Sequence, residues 1–480
     1  MSMTGYRNKG QIAVQVLIFS AVSIIILTGF VLWADTNVRL VWRDSDAEQA
    51  FLIAEAGIEY YRWHLAHAPK DYQDGTGAPG PYVHDYRDKD GNLIGTFTLD
   101  ISPPATGSTL LTIRSTGTLT VNPDAEKIIE AQMDIPSFAK YSAIIGSYVF
   151  FGPGSEIFGP VHSNSGVRID GIAHNLVTSA VAEFNDPDHS GQDEFGVHTH
   201  VAPQDPLPPA AVPNRPDVFK AGRQFPVPPI DFAGLSQDLA NLKASAQADG
   251  FYRNTVGNKG YHIILKTNDT FDLYDVTDTI KAPNGCVSVL GEQDWDTWSI
   301  EDETFLGNYP FPDNGIIFIE DHVWIDGQIN TARITIATGR FPENPAHRMH
   351  ITVNRDLLYT NYDGQDIISL VAQGNVNAGW DSEDDLRIDG ALLAQSNRVG
   401  RYYYRPPSGN QPRCSPNHVR QKITLYGMIG SEERYGFAWS DGTGYQQRII
   451  IYDPNLLFYP PPSFPKTSSY YTPINWNEIK

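Results

Sequence analysis

From Gln11 to Trp33 the chain carries no charged side chain (QIAVQVLIFSAVSIIILTGFVLW), and apolar residues dominate the run. At about 1.5 Å per helical residue it covers roughly 35 Å, against about 30 Å for a bilayer's hydrocarbon core. The next segment is polar but periodic. Ala47, Ala50, Phe51, Ala54, Ile58, Tyr61 and Leu65 recur three or four apart and form one apolar stripe. No proline interrupts Gln11 to Ala68, and Pro69 closes the segment. The pattern predicts one long helix, with residues 11–33 matched to lipid and 34–68 to packing on a folded domain.

Further on, the period changes from helical to two. Strands are expected at Gly95–Ile101, Leu110–Val121 (with a break at Gly117) and Lys127–Ile135, after a turn at Asp88–Asn92. Residues 69–137 therefore read as an antiparallel β domain. From about Pro136 a short module recurs: apolar, x, apolar, x, Gly, x, apolar. Copies lie at Ile157–Val161, Val167–Ile172, Val323–Ile329, Leu386–Leu392 and Ile423–Ile429. Short strands with a glycine at each bend can stack into a continuous apolar column. The expected fold class is α+β, mainly β: a long transmembrane helix, a small antiparallel sheet, then a β-solenoid-like domain over residues 138–480. A β-sandwich of hairpins is the alternative. Within 201–250, nine prolines between Val201 and Pro229 prevent a regular helix or central strand, and the stretch reads as a proline-rich wrap. One amphipathic helix follows, with Asp231 as N-cap, Phe232, Leu235, Leu239, Leu242 and Ala246 on one face, and Gly250 after its end. The aromatic and proline-rich tail, 452–480, is expected to cap the last coil.

Charge sharpens the topology. The 480 residues carry 35 Lys+Arg against 56 Asp+Glu, a net −21. Arg7 and Lys9 precede the apolar run with no acid among them; the acidic bulk follows it. That polarity puts the leader on the cytoplasmic side and the body outside. An acidic body also argues against a nucleic-acid partner. Two cysteines, Cys286 and Cys414, exclude a multi-cysteine zinc module. In an exported protein they can form one disulfide, provided the fold brings their Cα atoms within about 7 Å.

Two stretches carry a family resemblance: Lys9-Gly10-Gln11 at the leader junction, and Gln49–Glu59 (QAFLIAEAGIE) down the helix. Here the chain resembles type IV prepilin-type proteins, specifically PilX-like minor pilins. Stretches such as Phe158–Asn164, Phe225–Phe232 and Tyr452–Leu457 look like those of large PilX-like proteins, so the resemblance extends over most of the chain. It implies residues 1–10 as a leader, with Gly10 the residue before a prepilin peptidase cut and Gln11 the first mature residue. It also implies a sheet laid on the helix's exposed half, and other pilin subunits and the assembly machinery as partners. Gln15, the fifth mature position, departs from the glutamate usual in major pilins. A carboxylate there can neutralise a neighbouring subunit's N-terminal amine in an apolar filament core; an amide cannot. The large tip pseudopilin of type II secretion, which the chain resembles in size, shares this lack. The expectation is a tip or priming subunit, a single-pass membrane protein that reaches the cell surface on assembly.

Little in the sequence points to catalysis. His162, His174, His189, His198 and His200 cluster, and His198-Thr199-His200 can set two imidazoles on one strand face. No cysteine or acid stands at recognisable ligand spacing, so no metal and no cofactor is expected. The acidic runs Asp186–Asp188 and Asp381–Asp385 read as solvated loops rather than calcium sites. The chain is read as a non-enzyme. Two other readings stand beside it: a membrane-tethered, carbohydrate-active β-solenoid enzyme with a carboxylate pair in a groove, and a plain surface protein with an uncleaved anchor.

Overall fold

The computed structural model describes residues 9–104, 110–187, 189, 191–232, 234–467 and 470–479. Most of the leader therefore lies outside the described residues. The chain forms two compact units, the first comprising residues 1–103, 111–134 and 470–480, the second 104–110 and 135–469.

A single 59-residue helix, α1 (Lys9–His67), is the spine of the first unit. At 1.5 Å per residue it is about 88 Å long. Residues 12–44 are exposed throughout. The second half buries Ala50, Ile53, Ala54, Ile58, Tyr61 and Leu65, the expected stripe with Ile53 added. Ala47 and Phe51 are half-buried at its border.

That stripe lies on an antiparallel sheet of β1 (Tyr82–Arg87), β2 (Leu93–Ser102), β3 (Leu111–Leu119) and β4 (Glu126–Asp134). Leu99 of β2, Leu111 and Ile113 of β3, and Ile129, Ala131 and Met133 of β4 are buried in alternation. Asp88 closes the β1–β2 turn by accepting from the amides of Asp90 and Asn92. Two expectations need correction. β1 was not anticipated, because Tyr-Val-His-Asp-Tyr-Arg shows no clean apolar alternation. And β3 is not broken at Gly117, which pairs with Phe97 and Lys127 on either side.

The tail also departs from expectation. Thr472–Glu478 forms the fifth strand of this sheet, antiparallel to β4, and Trp476 meets Phe51 edge-on at 5.6 Å. Only the earlier part of the tail lies on the second unit, where Arg333 and Thr335 donate to the carbonyls of Pro460 and Pro462. The returning strand covers the open edge of β4.

Parallel pairing dominates the second unit. One ladder runs Phe251–Arg253, Ile316–Ile319, Arg333–Thr338, Ile367–Ala372, Ala391–Ala394 and Ile429–Ser431. It continues through Ala143–Ile145, Val161–Ser163, Val177–Ser179 and Arg223–Gln224. Chain order and stacking order thus differ. The earliest strands join the ladder after Ile429–Ser431, and the segment 225–250 leads from the last rung back to the first.

Helix α2 (Leu235–Asp249) explains why these strands read as unbroken apolar runs. Ile317, Ile319, Ile336 and Leu370 face the inner core, while Ile316, Phe318, Ala337 and Val371 face a second cluster containing Leu239, Leu242 and Ala246 of α2. Both faces of each strand are dry. Asp231 is not the N-cap: Gly234 holds that place, and Asp231 accepts from the Gly234 amide at 3.0 Å. The module copies Leu386–Leu392 and Ile423–Ile429 pair in parallel and in register, Gly390 opposite Gly427. Gly427 has φ +148°, and a Cβ there would stand 1.9 Å from the Gly390 carbonyl oxygen. Only glycine allows two strands to bend together at that point.

Candidate assembly surface and buried side-chain clusters

The exposed half of α1 is the most unusual surface of the chain. Between Ile12 and Trp33, large apolar side chains such as Leu17, Phe19, Ile25 and Phe30 stand 63–74% exposed. A soluble surface does not carry so long an apolar band. Thr28 returns its hydroxyl to the carbonyl of Ile24 at 2.7 Å, so its polar group is satisfied within the helix. Beyond Ala34 the surface turns charged, opening with an Asp35–Arg39 pair at 2.8 Å. Trp33 and Trp42, both 66% exposed, flank this change, where aromatic rings favour a membrane–water boundary. Gly10 and Gln11 lie in the first turn of α1. Gln15 is exposed on its apolar half.

Cys286 and Cys414 do meet. They form a disulfide with Cα atoms 4.7 Å apart, inside a cluster with Trp298, Trp324, Tyr402 and Tyr404. In the acidic run 381–385, three carboxylates pair with basic side chains on the surface. Arg355 reaches Asp381, Arg420 reaches Asp384 at 3.0 Å, and Lys422 reaches Asp385 at 2.8 Å. The buried carboxylates Asp389 and Asp453 are likewise committed. Burial raises both pKa values, while Tyr362 and Tyr426 donate to them.

The five histidines separate into three environments. His162 is buried between Thr178 and Asn164, and burial pushes its pKa down. His174 stacks on Phe158 at 4.2 Å and pairs with Glu156 on the surface. His198 and His200 converge with Asp186 and Glu194, all four ligand-type atoms lying within 4.8 Å of one another. His189 stacks on His200 at 4.1 Å. Asp188 lies outside the described residues. Sequence reasoning identified the two imidazoles of this cluster and, separately, Asp186 in a run read as a solvated loop; that reading is corrected here, because Asp186 is buried beside Arg168, and Glu194 was missed. Glu194, four residues before His198, was the available signal.

No protein-family model matches the sequence, and neither does any curated protein. Among solved structures, the competence-associated pilin ComZ from Thermus thermophilus aligns over 90% of this chain and 97% of that chain, at 13% identity and a TM-score of 0.30. Agreement that loose carries no argument about fold or function.

Proposed function

We propose that this chain is a minor, tip-located subunit of a type IV pilus-like filament. In this reading a prepilin peptidase cuts after Gly10, and the apolar half of α1 packs against the helices of other pilin subunits. The β-rich body is then a noncatalytic adhesive or tip-forming domain outside the cell. One observation carries the proposal. A single unbroken helix is bare and apolar over Ile12–Trp33, yet packed into its own sheet from Ala50 to Leu65. A helix divided in this way suits a subunit that is first anchored in lipid and then packed among like helices. The parallel ladders of the second unit support a solenoid-like stack as the displayed body.

Gln15 refines the position. Without a carboxylate there, a repeating subunit would leave a buried amine unpaired at each step, whereas a terminal subunit would not. Antibody labelling of isolated filaments tests this. Label confined to filament ends supports the tip role, uniform decoration removes it, and absence from filaments removes the filament role altogether. The same bare helix also serves an uncleaved surface anchor, which the labelling experiment separates from a filament subunit.

A further inference from the structure

The cluster at Asp186, Glu194, His198 and His200 is built from two elements and a loop. Glu183–Phe184 and Glu194–Phe195 form a short antiparallel pair, and Val197–His198 then joins Val167–Ile169 in a parallel ladder. The turn between these pairings carries Glu194, His198 and His200 into one pocket, where Asp186 arrives from the intervening loop. Asp186, Glu194 and His198 are buried and His200 nearly so.

Two of the three nearest separations match those of a first coordination shell, and the third is a hydrogen bond that a bound ion would replace. His198 Nε2 stands 3.1 Å from Glu194 Oε2 and 3.4 Å from Asp186 Oδ2, and His200 Nε2 stands 2.7 Å from Glu194 Oε1. Ligands of a tetrahedral zinc ion, bound at about 2.0–2.1 Å, are separated by about 3.3 Å. His198 Nδ1 faces the Phe195 carbonyl at 2.8 Å, which fixes the ring and aims Nε2 into the pocket. Glu194 is only 4% exposed, and its Oε2, although 3.1 Å from His198 Nε2, makes no aligned hydrogen bond. A buried carboxylate oxygen in that state calls for a cation.

Charge agrees with a dication. Arg168 is committed to Asp170 at 2.6 Å and also reaches Asp186 at 3.2 Å. Among these described residues, Arg168 is shared by Asp170 and Asp186 and offsets one of the three carboxylates Asp170, Asp186 and Glu194, which leaves two negative charges around two imidazoles. Nitrogen donors in equal number with carboxylates favour zinc and its neighbours over calcium or magnesium. A cleft of about 550 Å³, lined by His189, Gln192, Glu194, Gln204 and Asp205 among others, gives an ion a way in.

We propose that Asp186, Glu194, His198 and His200 bind one zinc-class dication, which ties the loop after Phe184 to the strand Val197–His198. Four protein ligands in a buried setting make this a structural site with no open position for chemistry.

The test is metal analysis of the full-length, detergent-purified protein after exposure to zinc and desalting, alongside His198→Ala, Glu194→Gln and, as a control, His174→Ala. About one zinc per chain is expected in the unmodified protein and in His174→Ala, and none retained by His198→Ala. Glu194→Gln keeps the shape of the site and should weaken zinc by more than about tenfold, the loss typical of even an outer-shell partner. Cobalt loading of the unmodified protein gives a readout that does not depend on any variant folding: intense visible bands of a tetrahedral ion are expected. Folded unmodified protein without stoichiometric zinc, or equal zinc in Glu194→Gln, overturns the proposal and leaves an imidazolium–carboxylate network in its place.

Discussion

Gly117 of β3 presses directly on the backbone of α1 at Ala50. A Cβ added to Gly117 would stand 2.2 Å from the Ala50 carbonyl oxygen and 2.5 Å from the Ala54 amide nitrogen. No flexible side chain can yield there, because both atoms are helix backbone. The contact sets how closely the packed half of α1 approaches its sheet. Gly117→Ala should destabilise this packing by about 1–3 kcal/mol, as overpacking of a tight core does, and Gly117→Val by more. Hydrogen exchange of amides 50–65 is the measurement. Faster exchange there, with the second unit unchanged, is the expected result.

The disulfide closes a loop between residues 128 apart. On a chain-entropy account, a loop of that size is worth about 4–5 kcal/mol. Cys286→Ala with Cys414→Ala should therefore lower the melting temperature of the body by many degrees. Thiol titration of the unmodified, denatured protein without reductant should find no free thiol. Two free thiols would contradict the pairing.

Stability should depend on pH through two histidines of opposite behaviour. His262 is buried, which works against its charge, but Asp326 at 2.9 Å and Glu303 at 2.7 Å overcome this and raise its pKa to about 9. A raised folded-state value contributes stability that is complete below about pH 6.5 and is lost as pH rises through about 9. The shift corresponds to about 3 kcal/mol at most. His322 is the reverse: burial first, then His350 and Arg340, hold its pKa well below the usual value. Its contribution is lost as pH falls below about 6.5, where the unfolded chain takes up the proton. Chemical denaturation between pH 5 and 9 should show a maximum near neutrality. His262→Gln should flatten the alkaline limb only.

Gln15→Glu should leave the melting of both units unchanged, since position 15 is exposed on α1 far along the helix from Ala50. In filaments the carboxylate should let the variant enter the shaft. Labelling that spreads from ends to sides is the expected change, and unaltered end labelling would mean that position 15 carries no positional information.

How much of this was legible depended on whether a feature is local. The division of α1 is local: an uncharged run, then a stripe at helical spacing, and each half behaves as its pattern dictates. The in-register pair Leu386–Leu392 and Ile423–Ile429 was legible for the same reason, as two copies of one module. The joining of Ala143–Ile145 to Ile429–Ser431 was not, because nothing in either segment encodes which distant strand it meets. Thr472–Glu478 is similar: a short segment that opens on Thr-Pro is completed as a strand only by the edge of β4. In the histidine cluster, His198 ends a short strand and His200 follows two residues on, in irregular backbone. Asp186 comes in from a separate loop and meets Arg168 at 3.2 Å, a meeting that no spacing rule could reveal.

The central claim is that this helix belongs to a processed filament subunit, and intact-mass measurement of the protein from cells with an active prepilin peptidase tests it most directly. The account predicts a mature mass lacking residues 1–10, and full-length protein when Gly10→Val is introduced. Full-length, unmodified protein in those cells would contradict it and leave an uncleaved anchor in its place.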